Sequence, residues 1–406
     1  MKRLLMSAAG RFRFVCALAF GLVGAFAIPS VQAQNFSVIY NFAGPRGDGG
    51  LPLAGLVIDA AGNLYGTASY GGSTYNGAVF KVTQSGQETV LYNFAGGTDG
   101  STPEAGLLLD STGNLYGTTF AGGTNNVGTV FKVNQSGQET VLYNFAGGTV
   151  DGANPQSNLI MDRGGNLYGT TNAGGTHGAG TVFELSKNGR ETVLYSFAAG
   201  TDGANPVAGV TRDARGNLYG TTSAGGTSGY GTVFQLMPVP VLASSSQSKY
   251  KESILYNFTH QNDGDVPYSG VVLDRAGNLY GAATGGGANS GGTIFELTPS
   301  SGGWNFSVLY SLPGWDISGA WQNLFLDTSG NIWGTTHCDG TYEAGTVYKL
   351  TNSGGTWNYT SMYVFTGGTD GIYSISTPVF DTQGNLYGTA EYGGANNNGV
   401  VYKITP

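Results

Sequence analysis

The sequence predicts an all-β fold, a seven-bladed β-propeller of four-stranded antiparallel blades closed by the N-terminal strand. Three observations lead there. An Asn-Leu-Tyr-Gly signature, in one copy Asn-Ile-Trp-Gly, starts at Asn63, Asn114, Asn166, Asn217, Asn278, Asn331 and Asn385, at spacings of 51, 52, 51, 61, 53 and 54 residues. A near-constant period of this length marks a repeat architecture. Each period holds four short runs of β-branched and aromatic residues divided by turn signals, and four-stranded sheets repeated around an axis are propeller blades. The ends of the array supply the third observation. It opens at Phe36 with the fourth strand of a unit that has no other, and closes near Ile404 with a unit that lacks its fourth. Pairing the two would complete a ring and remove two sheet edges open to aggregation.

Residues 1–33 read as a cleaved secretory signal peptide. Lys2, Arg3, Arg11 and Arg13 precede an apolar run over 14–28, and Val31-Gln32-Ala33 offers the cleavage site. The run is shorter than the roughly 20 residues of a bilayer-spanning helix, so no membrane span is expected in the mature chain, 34–406. In the unit 103–155 the strands, lettered a to d, are expected at 106–110, 114–119, 128–133 and 139–145. The a–b link is a hairpin in which Gly113 supplies a positive φ and the Asp110 carboxylate binds the turn amides. The same aspartate recurs at Asp59, Asp162, Asp213, Asp274, Asp327 and Asp381, and turn chemistry accounts for the whole set. Strands a and b are apolar at consecutive positions, as expected where neighbours cover both faces. Residues 237–253, rich in Pro, Ser and Val, interrupt the fourth unit and read as a flexible loop.

Losing the four basic residues of the signal takes the formal charge from −8 to −12. A chain this acidic repels nucleic acid and anionic lipid surfaces, which excludes both as partners. Only Cys338 survives cleavage, so no intramolecular disulfide framework is possible. Glycine (71) and proline (13) together stay below the roughly 25–30% that marks disorder, and they fall in register with the repeat. A monomer in the periplasm or outside the cell is expected.

The motifs Gly-Asn-Leu-Tyr-Gly-Thr-Thr, Gly-Gly-Thr, Gly-Thr-Val-Phe and Leu-Tyr-Asn-Phe recur in order over nearly all of the mature chain. They resemble the GloVer tandem repeat of secreted bacterial proteins with interchangeable surface anchors. That resemblance implies an extracytoplasmic propeller and no particular activity. No C-terminal anchoring segment is expected, since the last repeat runs to Pro406. Pro-x-Ala-Gly-Leu-x-x-Asp-x-x-Gly-Asn-Leu-Tyr is also similar to the NHL-type repeat, which supports strand a as innermost. The glycine doublets after strand b, such as Gly122-Gly123, are similar to those of kelch blades.

In an up-and-down blade the b–c and d–a loops share one face and the two hairpins share the other. The first set is longer and more variable, so a ligand is expected there. The residues before strand a, namely Leu53, Glu104, Gln156, Val207, Tyr268, Trp321 and Ile375, should ring the channel mouth. Tyr268 and Trp321 are neighbours in that ring, with Trp315 upstream in the same link. Aromatic faces stack on sugar rings while acids and amides bind the hydroxyls. The candidate ligand-binding residues are therefore Trp315, Trp321, Tyr268, Glu104, His337 and Asp339, for a polysaccharide or a partner protein. The Asp-Gly pairs of the d–a links, such as Asp99-Gly100, are ordinary turns rather than calcium ligands. His177, His260 and His337 share the face but belong to blades spread round a wide ring, so no metal and no cofactor is expected. No nucleophile elbow, His-Glu-x-x-His or P-loop occurs. These features read as a non-enzymatic binding or scaffold module. The alternative is a lyase or hydrolase with Glu104 or His337 as general base and His177, His260 or Asp339 orienting substrate. The mostly apolar mouth ring disfavours it.

Overall fold

The computed structural model describes residues 35–44, 47–239, 250–314 and 319–405. The signal peptide with its cleavage site, Trp315 and the middle of the insertion lie outside the described residues. Seven four-stranded antiparallel sheets follow one another along the chain. Blade 2 is typical, with strands Leu108–Leu109, Leu115–Thr119, Thr129–Val133 and Glu139–Asn144. Its first strand is a two-residue ladder, shorter than the apolar run that encodes it. Blade 7 draws on both ends of the chain. Val379–Phe380, Leu386–Ala390 and Val400–Ile404 are followed in the sheet by Phe36–Asn41, in antiparallel register from Phe36↔Ile404 to Asn41↔Val400.

The glycine of the signature is there for close approach. In blade 2 a Cβ on Gly117 would lie 2.6 Å from the Phe131 ring, its partner on strand c, and in blade 7 one on Gly388 would lie 2.3 Å from the Tyr402 hydroxyl. At six of the seven interfaces the strand c ring in turn meets, edge to face, the aromatic that ends strand d of the preceding blade; at the other, Leu312 takes that place opposite Tyr348. Phe94 packs on Phe131 at 5.0 Å, Phe145 on Phe183 at 5.1 Å and Phe42 on Phe80 at 5.0 Å, a geometry that aromatic quadrupoles favour. A register shift in every c–d pair, for instance between Val130 and Phe131, adds a bulge to the outer strand. Bulges of this kind increase local twist.

Nearer the axis, a threonine of strand b donates to the carbonyl that precedes strand a of the next blade. Thr67 reaches Ala105 O at 2.8 Å, Thr170 reaches Ala208 O at 2.9 Å, and Thr389 of blade 7 reaches Ala54 O of blade 1 at 2.9 Å. The a–b aspartates behave as turn residues. Asp110 accepts from the Thr112 and Asn114 amides at 2.8 and 2.9 Å, from Asn114 Nδ2 at 2.8 Å and from the Tyr116 hydroxyl at 3.1 Å. Burial works against its charge, but these donors hold the carboxyl well below its usual range. The insertion is only partly loop. Thr232–Pro238 and Tyr250–Asn257 carry the hairpin outward, with Met237 paired to Lys251 and Pro238 to Tyr250.

The outer strands meet across blade interfaces in two ways. At three interfaces the residue four before the conserved tyrosine is aromatic and stacks on the tyrosine of the preceding blade. Phe306 lies 3.7 Å from Tyr256, Tyr359 lies 4.8 Å from Tyr310 and Phe36 lies 3.9 Å from Tyr363. At the other four the same position is Glu88, Glu139, Glu191 or Glu252. Each meets the aspartate that accepts from the preceding blade's tyrosine, as Asp99 accepts from Tyr92 at 2.9 Å. Burial, and then the charge of Asp48, Asp99, Asp202 or Asp151, pushes Glu88, Glu139 and Glu252 up to about 7 and Glu191 up to about 8. In the unfolded chain these groups titrate near 4.5.

A raised carboxyl means that the folded state holds the extra proton. The stabilisation is complete below the unfolded value and is lost as pH climbs through the folded one. Glu391, raised to about 7, acts in the same sense, while His337, lowered to about 4, acts in the opposite one. Solvent screening of the half-exposed glutamates keeps each contribution modest. The melting temperature should therefore fall as pH rises from about 5 to about 8. Glu139→Phe, which installs the stack that Phe306 makes, should raise it at the upper end and flatten the slope. A melting temperature that climbs across this range would contradict the carboxylate account. Separately, deleting residues 34–42 leaves Val400–Ile404 as a bare edge. Calorimetry and size-exclusion chromatography should show a lower melting temperature and aggregates, and a variant as soluble and stable as the parent would count against ring closure by this strand.

Candidate functional site

The mouth on the loop face is built by one bond repeated in every blade. The amide just after strand b donates to the d–a link, with Phe120 to Thr102 O at 3.0 Å, His337 to Gly319 O at 3.2 Å and Glu391 to Tyr373 O at 3.1 Å. Six of the seven acceptor residues are left-handed without being glycine, with φ 56 at Thr102, 57 at Asn154, 45 at Val266 and 60 at Tyr373. Asparagine tolerates this region, whereas valine and tyrosine occupy it at a cost of about 1–3 kcal/mol each. The conformation lays the side chain on the preceding blade. Asn154 Nδ2 thus bonds Phe120 O at 3.1 Å, and the Tyr373 ring lies 4.3 Å from that of His337.

Across blades 5 to 7 this geometry assembles a continuous aromatic run. Tyr268 stacks on Trp321 at 4.9 Å, Trp321 meets His337 at 4.8 Å, His337 meets Tyr373, and Tyr373 meets Tyr392 edge-on at 6.1 Å. Burial lowers the His337 imidazole to about 4, so it is uncharged near neutral pH. Three of the six residues expected in the site, Tyr268, Trp321 and His337, are thus in contact. Glu104 stands in the same mouth, accepting from Gln156 Nε2 at 2.7 Å.

Two others are placed differently. Trp315 lies outside the described residues. Asp339 is 4% exposed, its carboxyl accepting from the Thr336 hydroxyl inside blade 6. Burial pushes it up to about 6 against the pull of Thr336 and Thr346. Its burial is close to that of His337, which is 7% exposed. Of the other histidines, His177 is exposed, and His260 stacks on Tyr230 at 4.8 Å and bonds Asp265, so the three imidazoles have separate surroundings. Three further tryptophans brace the blades, Trp304 against Tyr219, Trp357 against Tyr280 and Trp333 through a bond to Asp327.

Tyr373, Tyr392 and Glu391 are site residues that the sequence reading did not single out. Burial raises Glu391 to about 7, an effect that a hydrogen bond with Tyr392 reduces and the charge of Glu104 increases. The signal available was alignment of the residue after strand b across blades: Ser69, Phe120, Asn172, Ser223, Thr284, His337 and Glu391 form a variable ring at an otherwise repetitive position.

Among the described residues every lysine and arginine lies toward the hairpin end. Lys81, Lys132, Lys349 and Lys403 are near the end of strand c, Arg163, Arg215 and Arg275 are in a–b turns, Lys187 and Arg190 are in a c–d turn, and Arg212 and Lys251 are on strand ends beside these turns. Four of the five exposed large hydrophobic side chains are on the loop face, Tyr75, Tyr230 and Tyr342 on b–c loops and Val150 in a d–a link. Exposed apolar groups concentrated on one face are a mark of interaction surfaces.

Solved structures similar to the chain include a proposed 6-phosphogluconolactonase from Bacteroides uniformis, 14% identical over 81% of this chain and 88% of that one, with a TM-score of 0.51. A second is a proposed oxidoreductase (glucose dehydrogenase) from Thermus thermophilus, 15% identical over 81% of this chain and 99% of that one, with a TM-score of 0.45. At such identity the first bears on the fold alone, and the second carries no argument. No curated protein matches the chain. The model of the Gloeobacter/Verrucomicrobia repeat matches residues 19–234 and again 212–406, and the chain belongs to that repeat family.

Proposed function

We propose that the protein is a secreted or periplasmic, non-enzymatic module that binds polysaccharide on the loop face of blades 5 to 7. The observation that carries the reading is the run Tyr268, Trp321, His337 and Tyr373, whose rings follow one another within 4.9 Å across three blades. The rings stack on one another and so offer a ladder of ring edges as an apolar contact for a sugar chain, and the carboxyl and amide groups of Glu104 and Gln156 supply hydrogen-bonding groups elsewhere on the same mouth. The three-part N-terminal layout supports export, and N-terminal sequencing of the mature protein should begin at Gln34. Recovery of Met1 on the exported species would refute cleavage.

A hydrolytic reading draws on one observation, that burial and then the charge of Glu104 raise the Glu391 carboxyl to about 7. A carboxyl group raised towards neutral pH can serve as the acid of glycoside hydrolysis. Turnover of a polysaccharide by the purified protein, abolished in Glu391→Gln, would replace the binding reading with this one.

The test of the binding reading is a glycan array followed by titration of the best ligand. Trp321→Ala should weaken binding roughly tenfold, the equivalent of about 1.4 kcal/mol for a lost stacking surface. Its melting temperature should stay close to that of the parent, since the ring is only half buried. Undiminished affinity in a folded Trp321→Ala variant would remove the aromatic run from the site.

A further inference from the structure

We propose that His260 and Asp265 form a general-base dyad that hydrolyses carboxylic ester substituents of a carbohydrate, at the loop-face corner between blades 4 and 5. The inference goes beyond the binding reading, since it adds a reaction at a corner outside the aromatic run. Comparison of the blades with one another singles this corner out. Two positions after the residue that ends strand d, every d–a link turns through a left-handed residue. It is Gly44, Gly96, Gly147, Gly314 or Gly367 in five links and Ala199 in a sixth, whereas the seventh has His260 at φ 62. An imidazole is a poor occupant of a conformation that favours glycine. Farther along the link, the position that bridges to the second residue after strand b holds Gly50, Ser101, Ala153, Ala204 or Ile372 in other blades, and Asp265 here. None of those is ionisable, and Asp265 is 4% exposed. A carboxylate is costly to bury without a partner, and its partner is the other unusual residue, through the bond between His260 Nδ1 and Asp265. The two departures from the repeat thus meet each other, and local rules are broken in this way chiefly at functional sites.

That bond decides what the imidazole can do. With Nδ1–H donating to the carboxylate, Nε2 carries the lone pair. Nε2 has no hydrogen-bond partner among the described residues, and the His260 side chain is 45% exposed. The Tyr230 ring, stacked at 4.8 Å, covers a face of the imidazole and not its edge. Nε2 can therefore take a proton from a water that attacks an acyl carbonyl. The imidazolium then returns the proton to the departing alkoxide as the bond from carbonyl carbon to alkoxide oxygen breaks, leaving a carboxylic acid and a free hydroxyl. Cleavage of a glycosidic bond would call on two carboxyl groups. Asp263, the other carboxylate of this stretch, is already taken up by Tyr256, Thr259 and Gln261. The corner thus offers one group that both accepts and returns a proton, which is what ester hydrolysis needs. Exposed Thr227 and Ser228 on the Tyr230 loop, and Gln261 and Asn262 beside His260, are neutral groups of the kind that bind sugar hydroxyls.

The test follows acetate release from an acetylated xylo-oligosaccharide, and hydrolysis of 4-nitrophenyl acetate, by the full mature protein near neutral pH. Both rates should exceed that of free imidazole at equal concentration, and His260→Gln should lower them roughly a hundredfold. Asp265→Asn should lower kcat on the oligosaccharide and leave KM unchanged, because an amide can accept from Nε2 no better than before yet lets the proton leave Nδ1, the wrong tautomer for a base. The double variant His260→Gly with Asp265→Ala recreates the Gly147 and Ala153 pair of the link before blade 3. It should be inactive and melt at or above the parent temperature, since strain kept for function is released. Parent rates no better than free imidazole overturn the proposal, and so do parent rates retained by the double variant. A double variant that melts well below the parent also overturns it, by making the bond a structural tie. The glycan array and the Trp321→Ala titration read binding alone, so the binding reading stands or falls separately.

Discussion

The contact between the signature glycine and the ring opposite it is the constraint on which the ring depends. At Gly66, Gly117, Gly169, Gly220, Gly281, Gly334 and Gly388 a side chain would collide with the strand c aromatic within 2.3–2.8 Å. Because the ring occupies the place of the missing Cβ, it reaches back, at six of the seven interfaces, to the preceding blade's terminal aromatic and ties adjacent sheets together. Alanine at any of these sites would push the ring off strand b and into its neighbour, an overpacking of the kind that costs about 1–3 kcal/mol. The repetition of the motif is thus the repetition of a blade interface rather than of a blade.

That dependence explains what could be read from the chain. Strand order, hairpin aspartates and the period are fixed by local chemistry, the turn demands of Asp110 and Gly113 or the space demanded by Phe131, and local chemistry is visible in sequence. Tyr373 and Glu391 were not visible, because the left-handed link that lays Tyr373 on His337 has no residue signature; leucine, threonine, asparagine, valine and tyrosine all occupy it. The burial of Asp339 was not legible for a related reason. That residue replaces the first glycine of the doublet after strand b, a loop position, yet the fold turns its carboxyl inward to Thr336. The four interface glutamates carry no signature either, because the aspartate whose charge acts on each belongs to the neighbouring blade.

The mouth and the outer rim also divide the ring into two arcs. Between blades 4 and 7 the rim uses aromatic stacks, and the aromatic platform lies on the same side at the mouth. The remaining interfaces use Glu and Asp pairs, and Glu104, Gln156 and Asn172 face the mouth there. Divergence of blades 5 to 7 thus altered rim and mouth together, and a repeat architecture permits this because each blade contacts only its neighbours.

The seventh blade sets the order of events during folding. Its outer strand is among the first described residues of the chain and its other three are among the last, with Thr405 bonding Asn35 across 370 positions. Closing a free chain of that length carries an entropic cost on the order of 5 kcal/mol, which falls steeply once six blades have formed and curved their ends together. Phe36–Asn41 must therefore wait, unpaired, through most of the assembly. Its alternation of Ser37 with apolar neighbours makes it a strand that other edges can capture during that interval. The vulnerable species is an open arc rather than an unfolded chain, and its lifetime governs the yield of closed rings.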